Sequence, residues 1–305
     1  MNCLLSRRWT ACFRAVLALL AACLFMGAAQ AQTYTCSAVT TSAMSAIYPV
    51  VPTSLVSVAG SVTLSCTRLT GSGTTTRFFQ IGADNGTHVT GSQRRAQRTT
   101  SSRINYNLFK DAGCSVAWAD AANPGTTRLP TSLTFTTNNV PVSSSALPYC
   151  MTVPSGQAPA VGTYTDTVGV TLWQGSSTNS TSFSQITAGS SSFAVTVTVP
   201  DACYLSSSPG AINFTYTSFQ TAASTASTTF AVRCQTATTY TLSLDASSGT
   251  INGLPYSLVL SRTGTIMGTG SPQSTTITGT IAANLSGTCV GGCASTATRT
   301  LTVTY

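Results

Sequence analysis

The stretch SSSFAVTVTVPDAC, Ser190–Cys203, contains an alternating run that indicates a β-strand. The run ends at Pro200, and its apolar positions are Phe193, Val195, Val197 and Val199. A period of two over this length is typical of a strand with one buried face. The strand lies well inside the chain, so the first question is which hydrophobic core it completes.

Residues 1–31 have the features of a secretory signal peptide. Arg7, Arg8 and Arg14 flank the start of the apolar run AVLALLAACLFMGAA, and Ala29-Gln30-Ala31 provides the small residues of a cleavage site. The apolar run is short for a membrane anchor. We therefore expect cleavage before Gln32, export through the periplasm, and no membrane insertion.

Removal of residues 1–31 leaves residues 32–305, a length that suits two domains. This part has no Glu and one Lys, and its abundant Ser, Thr, Gly and Val favour strands and turns. Four of its arginines fall in SQRRAQRTTSSR: Arg94, Arg95, Arg98 and Arg103. We interpret this segment as a solvated loop, with a patch for an anionic surface as the alternative. Without interleaved aromatic residues, it does not predict nucleic-acid binding.

Cysteine spacing indicates an internal duplication. Three of the 11 cysteines lie in the signal peptide, and the eight that remain suit an oxidising compartment. The separations between Cys36 and Cys66 and between Cys203 and Cys234 differ by a single residue, as expected for two copies of one unit. This predicts a Cys36–Cys66 disulfide in the first copy and a Cys203–Cys234 disulfide in the second. Elimination then pairs Cys114 with Cys150 and Cys289 with Cys293, although spacing alone does not fix this connectivity.

Both halves show the same order of short strands, which predicts an all-β fold of two sandwiches in tandem. SVTLSC matches TTFAVRC, INYNLFKDAG matches LPYSLVLSR, and SLTFTT matches TTITGTIAA. The last strand of the first half, with Val168, Val170 and Leu172 on one face, matches Leu301, Val303 and Tyr305.

This order of cysteines and strands resembles the spore coat protein U domain family, over Cys36–Trp173 and again over Cys203–Tyr305. The resemblance implies immunoglobulin-like sandwiches of the kind that build the secreted pilins of archaic (Csu-type) chaperone–usher pili. The second copy departs from the pattern, because Arg299 precedes Leu301 by two positions where Asp166 precedes Val168 in the first copy.

The resemblance also implies that each copy ends one strand short of a closed sandwich, and that a neighbouring subunit supplies the missing strand. Here Phe193–Val199 is tethered to the first copy by WQGSSTNSTSFSQITAG, so we expect it to fold back antiparallel to Tyr164–Trp173 and complete the domain of residues 32–200. The competing interpretation, insertion into another subunit, is disfavoured because the connection to residues 201–305 is short.

The second domain, residues 201–305, should then keep an open acceptor groove lined by Ile212, Phe214, Leu301 and Val303. After cleavage only Gln32-Thr33-Tyr34-Thr35 would precede Cys36, which is too short for a donor strand. A subunit that accepts a strand and donates none belongs at a pilus tip. The expected partners are a periplasmic pilus chaperone, an outer-membrane usher and the next pilin, and the expected location is the cell surface.

A tip subunit with a complete first domain predicts an adhesin that binds abiotic or host surfaces and supports biofilm formation. The candidate adhesive residues lie on loops at the pole away from the second domain, and they are Val116, Ala117, Trp118, Phe183 and Ile186. The alternative for Trp118 and Phe183 is that their rings pack into the ends of the sandwich. The alternatives are a structural pilus or coat subunit, which would need a donor strand, and a carbohydrate-binding module that uses Trp118. With one histidine, His88, and no Glu, the sequence predicts no enzyme, metal site or cofactor.

Overall fold

The structure is a computed structural model that describes residues 32–50, 55–120, 127–175, 183–289 and 296–305. The predicted signal peptide, residues 1–31, lies outside the described residues. Within them the regular structure is β-strand, and no helix is long and apolar enough to span a bilayer. The prediction of an all-β fold is confirmed, because the chain forms β-sandwiches in tandem.

The first sandwich consists of the strands between residues 34 and 199. In chain order they are β1 (Tyr34–Cys36), β2 (Thr40–Thr41), β3 (Met44–Ile47), β4 (Val56–Thr63), β5 (Ser65–Arg68), β6 (Thr75–Ala83), β7 (Arg95–Thr99), β8 (Ser102–Asn105), β9 (Asn107–Phe109), β10 (Leu129–Phe135), β11 (Pro141–Ser143), β12 (Leu147–Val153), β13 (Gly162–Gly175) and β14 (Phe183–Val199). One layer has the orders β2-β4-β12-β9 and β1-β5-β11, and the other has the order β10-β6-β13-β14-β3. One hydrophobic core lies between the layers.

The second sandwich follows with fewer strands. They are β15 (Cys203–Ser207), β16 (Ser224–Cys234), β17 (Thr239–Leu244), β18 (Ser248–Ile251), β19 (Leu254–Leu260), β20 (Ile266–Met267), β21 (Gln273–Ile281) and β22 (Leu301–Thr304). Its layers have the orders β15-β16-β21-β19-β18 and β20-β17-β22. They enclose a separate hydrophobic core.

The alternating stretch forms the C-terminal part of β14. Phe193, Val195, Val197 and Val199 are buried in the first core, whereas the residues between them are partly or fully exposed. The strand runs antiparallel to β13, with Val168 opposite Phe193. Burial of four such side chains stabilises the first sandwich by about 6–12 kcal/mol as an upper estimate. Pro200, which has no backbone N–H, follows the last residue of β14.

Disulfides tie the first strands of both sandwiches to the strands beside them. Cys36 is bonded to Cys66 and Cys203 to Cys234, and a third bond joins Cys114 to Cys150 in β12. Cys289 is also disulfide-bonded. Its expected partner, Cys293, lies outside the described residues.

One correspondence between the two halves differs from the one read from sequence. β21 pairs with β16 and β19, which is the position of β12 in the first sandwich. The SLTFTT segment, expected to match β21, lies in β10 and its C-terminal continuation, and β10 pairs with β6 instead. Similar alternating patterns on successive strands caused the error, because the pattern does not encode the pairing partner.

Two aspartates mark equivalent positions in the sandwiches. The backbone N–H of Asp84 donates to the Gly169 carbonyl at 2.9 Å, and the Gly169 N–H donates back to the Asp84 carboxylate at 2.9 Å. Asp245 and Thr300 repeat this exchange at 3.0 and 3.1 Å. Thr300 in the second sandwich is therefore the counterpart of Gly169 in the first.

This equivalence moves the expected alignment of the last strands by two positions. Leu301 takes the place of Val170, not of Val168 as the sequence comparison predicted. Arg299 takes the place of Val168. Apolar positions that repeat every second residue fit equally well after a shift of two, so the apolar pattern alone could not detect the offset.

Candidate functional site

In the first sandwich, β14 fills the space between two other strands of its layer. It lies antiparallel to β13 on one edge and parallel to β3 on the other, where Val195 is opposite Met44. Just beyond β3, the N–H of Tyr48 donates to the carbonyl of Thr198 at 2.9 Å. The backbone groups on the facing edges of β13 and β3 are thus used within the same chain.

The equivalent position in the second sandwich holds no strand among the described residues. β22 pairs with β17 on one edge, and no described strand pairs with its other edge. The Asp245 N–H donates to the Thr300 carbonyl, so these two residues form a hydrogen-bonded pair just before β22. Hydrogen-bonded and non-hydrogen-bonded pairs alternate along antiparallel strands, so the backbone N–H and C=O groups of Leu301 and Val303 point away from β17. An open strand edge of this kind is a template for pairing with another chain.

The far side of this opening is formed by the counterpart of β3. Ile212, Phe214 and Tyr216 alternate towards the interior, but the segment forms no strand, and its one bridge joins Tyr216 to Cys289. Between this segment and residues 296–301 lies a cavity of about 430 Å³. Ile212, Phe214 and Leu301 line it, as do Tyr256 and Leu258 from β19.

Side chains beside the opening are less buried than their counterparts in the first sandwich. Val170 and Leu172 are buried in the first sandwich, whereas their counterparts Leu301 and Val303 are only half-buried. Val303 packs against the second core without lining the cavity. Three of the four residues predicted for the groove therefore line one cavity, and the fourth lies next to it in β22.

Trp118 is 0% exposed, so its assignment as an adhesive residue is wrong and the alternative, a position inside the sandwich, is the one observed. Its indole N–H donates to the carbonyl of Ile81 at 2.8 Å. Its ring lies 4.9 Å from Tyr149 and 6.1 Å from Phe193, measured between ring centroids. A buried Trp needs a partner for its N–H, and the Ile81 carbonyl provides one inside the core.

The other candidate loop residues lie closer to solvent. Val116 and Ala117 are exposed, on the segment that carries Cys114. Phe183 and Ile186, at the start of β14, are half-buried, and Ile186 packs against the first core. Among the candidate adhesive residues, Val116 and Ala117 are therefore the exposed ones.

Leu69 and Val140 add exposed apolar side chains that the sequence analysis did not single out. The loops that carry them meet through the N–H of Asn139, which donates to the carbonyl of Arg68 at 2.7 Å. Their exposure had no signal in the sequence beyond their position at strand ends.

The arginine-rich segment is the β7–β8 hairpin, and the prediction that it is a solvated loop is wrong for Arg94. Arg94 is buried, and its guanidinium donates to the carbonyls of Ala83, Asp84 and Trp118 at 2.6–3.0 Å. Burial lowers the pKa of Arg94. Arg98 and Arg103 are exposed.

Asp166 holds the loop after β6 against β13. Its buried carboxylate accepts hydrogen bonds from the Tyr106 hydroxyl at 2.7 Å and from the Thr87 N–H at 2.9 Å, and His88 Nδ1 lies 3.1 Å away. Burial raises the pKa of Tyr106, and the bond to Asp166 raises it further. The arrangement fixes a loop. Among the described residues, no three His, Cys, Asp or Glu side chains form a metal-binding group.

The architecture defines the class: a disulfide-bonded protein of two β-sandwiches, in which one edge of the second has no partner strand among the described residues. The sequence profile of the Spore Coat Protein U domain matches residues 10–171, more than half of the chain. The chain therefore belongs to the spore coat protein U domain family. A search of curated proteins found no match.

Solved structures with similar folds come from several bacterial pili. One is the CsuC–CsuE chaperone–tip adhesion subunit pre-assembly complex from archaic chaperone–usher Csu pili of Acinetobacter baumannii, with 14% identity, coverage of 89% of this chain and 100% of the other, and a TM-score of 0.45. Another is the CupB6 tip adhesin from Pseudomonas aeruginosa, with 10% identity, coverage of 90% and 96%, and a TM-score of 0.36.

Proposed function

We propose that this protein is the tip subunit of a chaperone–usher pilus, in which the second sandwich accepts a strand from the next pilin and the first sandwich contacts a surface. The observation that carries the proposal is the cavity beside β22, at the position that β14 fills in the first sandwich. The occupant would be an extended strand with alternating apolar residues, because backbone pairing supplies affinity and alternating side chains set the register.

Two segments could act as donor strands, the N-terminal residues before Cys36 and the alternating segment of β14. Both are already paired within the first sandwich, which supports a role as a strand acceptor. Residues 34–36 form β1, where Tyr34 is opposite Arg68, and the Thr33 N–H donates to the Thr70 hydroxyl. The alternating segment of β14 is buried within its own sandwich. Neither segment is free to enter a neighbouring subunit while the first sandwich stays folded.

Contact with surfaces would use the exposed apolar residues of the first sandwich, led by Val116 and Ala117. Burial of Trp118 removes the aromatic residue on which the alternative of a carbohydrate-binding module depended. The partners of this function would be a periplasmic chaperone that covers the groove before assembly, an outer-membrane usher, and the pilin that replaces the chaperone.

The proposal can be tested by supplying the missing strand in the same chain. Because Arg299 matches Val168, Tyr305 matches Gln174, so a copy of residues 175–199 appended after Tyr305 would repeat the β13–β14 hairpin. We expect a monomer whose second sandwich resists proteolysis, whereas the unextended chain is cleaved there or aggregates.

The matched control carries the same appended copy with Val195→Asp and Val197→Asp, which places charges on its buried face. This version should behave like the unextended chain. A second sandwich that is equally protected in all three chains would show that the groove needs no additional strand, and the proposed function would be wrong.

A further inference from the structure

Arg299 is the charged residue that lines the cavity beside β22. It replaces Val168, whose side chain is fully buried in the first sandwich. Its guanidinium carbon lies 5.5 Å from the centre of the Tyr256 ring, and Nη2 donates to the carbonyl of Ser248 at 3.0 Å. Gly249 leaves room for this arrangement, because a Cβ there would overlap Nη2. The side chain thus reaches from one layer to the other, inside the groove.

No carboxylate among the described residues neutralises Arg299. Its hydrogen bonds go to the carbonyls of Ser248 and Thr298, and its buried Nε has no partner. The acidic residue on the adjacent loop, Asp245, uses its carboxylate to accept from backbone N–H groups of Ala246 and Thr300. The groove therefore contains a cation with unused hydrogen-bonding capacity.

A strand that fills the groove would take this cation out of water. In the first sandwich, Phe193 is the residue of β14 opposite Val168. A strand in the same register would place one side chain opposite Arg299, and that side chain would share a buried environment with the guanidinium. A buried charge is costly unless it is paired, and a carboxylate matches the planar guanidinium with two hydrogen bonds.

We propose that Arg299 makes the groove selective for a strand that carries Asp or Glu at the position opposite it, within an otherwise apolar inward face. This inference rests on the proposed strand-acceptor function and specifies the chemistry of the partner. The incoming segment would differ from β14 at one position, where a carboxylate replaces the aromatic ring of Phe193.

The test uses the chain with residues 175–199 appended after Tyr305. The appended copy is made with Phe193→Glu or Phe193→Gln, each in a chain that keeps Arg299 and in a chain with Arg299→Met. Calorimetry measures the melting temperature of the second sandwich, and fluorescence of Trp118 and Trp173 identifies the separate transition of the first.

With Arg299 present, we expect the Glu version to melt at least about 4 °C above the Gln version. The reason is that a carboxylate paired with the guanidinium stabilises the folded sandwich more than a neutral amide does. With Arg299→Met, that advantage should disappear or reverse. The matched control places the same Glu and Gln at Thr196 of the copy, which faces outward, and should show no dependence on Arg299.

Two other results would overturn the inference, and they can be told apart. If the unaltered copy stabilises the second sandwich but Glu and Gln are equivalent, Arg299 does not select a carboxylate and the acceptor function stands. If no appended copy stabilises the second sandwich, the acceptor function is wrong and the selectivity is wrong with it.

Discussion

Truncation of Phe193 to Ala measures how strongly the first sandwich depends on β14. Phe193 is 5% exposed, and its ring lies 5.6 Å from Tyr149 and 6.1 Å from Trp118. Removal of a buried Phe ring costs about 3–5 kcal/mol, through lost burial and the cavity that remains. At an m-value of about 1–3 kcal/mol/M, the urea midpoint should fall by at least about 1 M.

Tryptophan fluorescence gives a selective assay for this effect. Of the three tryptophans in the chain, Trp9 lies in the predicted signal peptide, and Trp118 and Trp173 both lie in the first sandwich. The urea transition of the mature chain followed at these residues therefore reports the unfolding of that sandwich. The second sandwich contributes no tryptophan to the signal.

Ile47→Ala is the matched control, because Ile47 is opposite Thr198 of β14 yet is 67% exposed. We expect its free energy of unfolding to stay within about 0.5 kcal/mol of that of the unmodified chain. A loss below about 1 kcal/mol for Phe193→Ala, or equal losses for the two variants, would refute the view that β14 completes the first core.

Other contacts lead to three further predictions. Replacement of Cys114 and Cys150 by Ser should lower the free energy of unfolding of the first sandwich by about 2–4 kcal/mol, measured by urea titration. Val116→Ser should reduce retention of the mature chain on polystyrene beads, because it removes exposed apolar surface, while Thr100→Ser leaves retention unchanged. The free energy of unfolding should fall above about pH 10, because tyrosines ionise in the unfolded chain while the buried tyrosines of the folded chain stay neutral. Tyr106 alone should lower it by up to about 1.4 kcal/mol per pH unit. Urea titration at successive pH values checks this loss, and the tyrosines with raised pKa values are Tyr48, Tyr106, Tyr149 and Tyr240.

Each of these predictions has an outcome that contradicts it. An unchanged midpoint in the double Ser variant would mean that the Cys114–Cys150 disulfide adds nothing to the stability of the first sandwich. Equal retention of Val116→Ser and the unmodified chain would remove this loop from the adhesive surface. A constant free energy of unfolding between pH 9 and pH 11 would contradict the burial of neutral tyrosine hydroxyls.

Local patterns in the sequence predict most of the fold. The alternation at Phe193–Val199 specifies a strand and its buried face, since the period of two is a property of the strand itself. The nearly equal spacing of Cys36–Cys66 and Cys203–Cys234 reveals the duplication, because two copies of a fold keep the same separation between paired positions.

Contacts between distant residues explain what the sequence could not show. Trp118 lies in a polar segment typical of an exposed loop, and its burial depends on the carbonyl of Ile81, which is remote in sequence. Arg94 is likewise buried by carbonyls that other segments provide. The match of Arg299 to Val168 depends on the bonds between Asp245 and Thr300, which are distant in sequence and fix the register of the last strand.

Amide hydrogen exchange at Leu301 and Val303 tests the acceptor groove most directly. Their backbone groups face the open edge, whereas those of Thr302 and Thr304 face β17. In the unextended chain we expect rapid exchange at Leu301 and Val303, and slow exchange at both once the copy of residues 175–199 follows Tyr305. Slow exchange at Leu301 and Val303 without the added strand, or rapid exchange with it, would contradict a groove that another subunit fills.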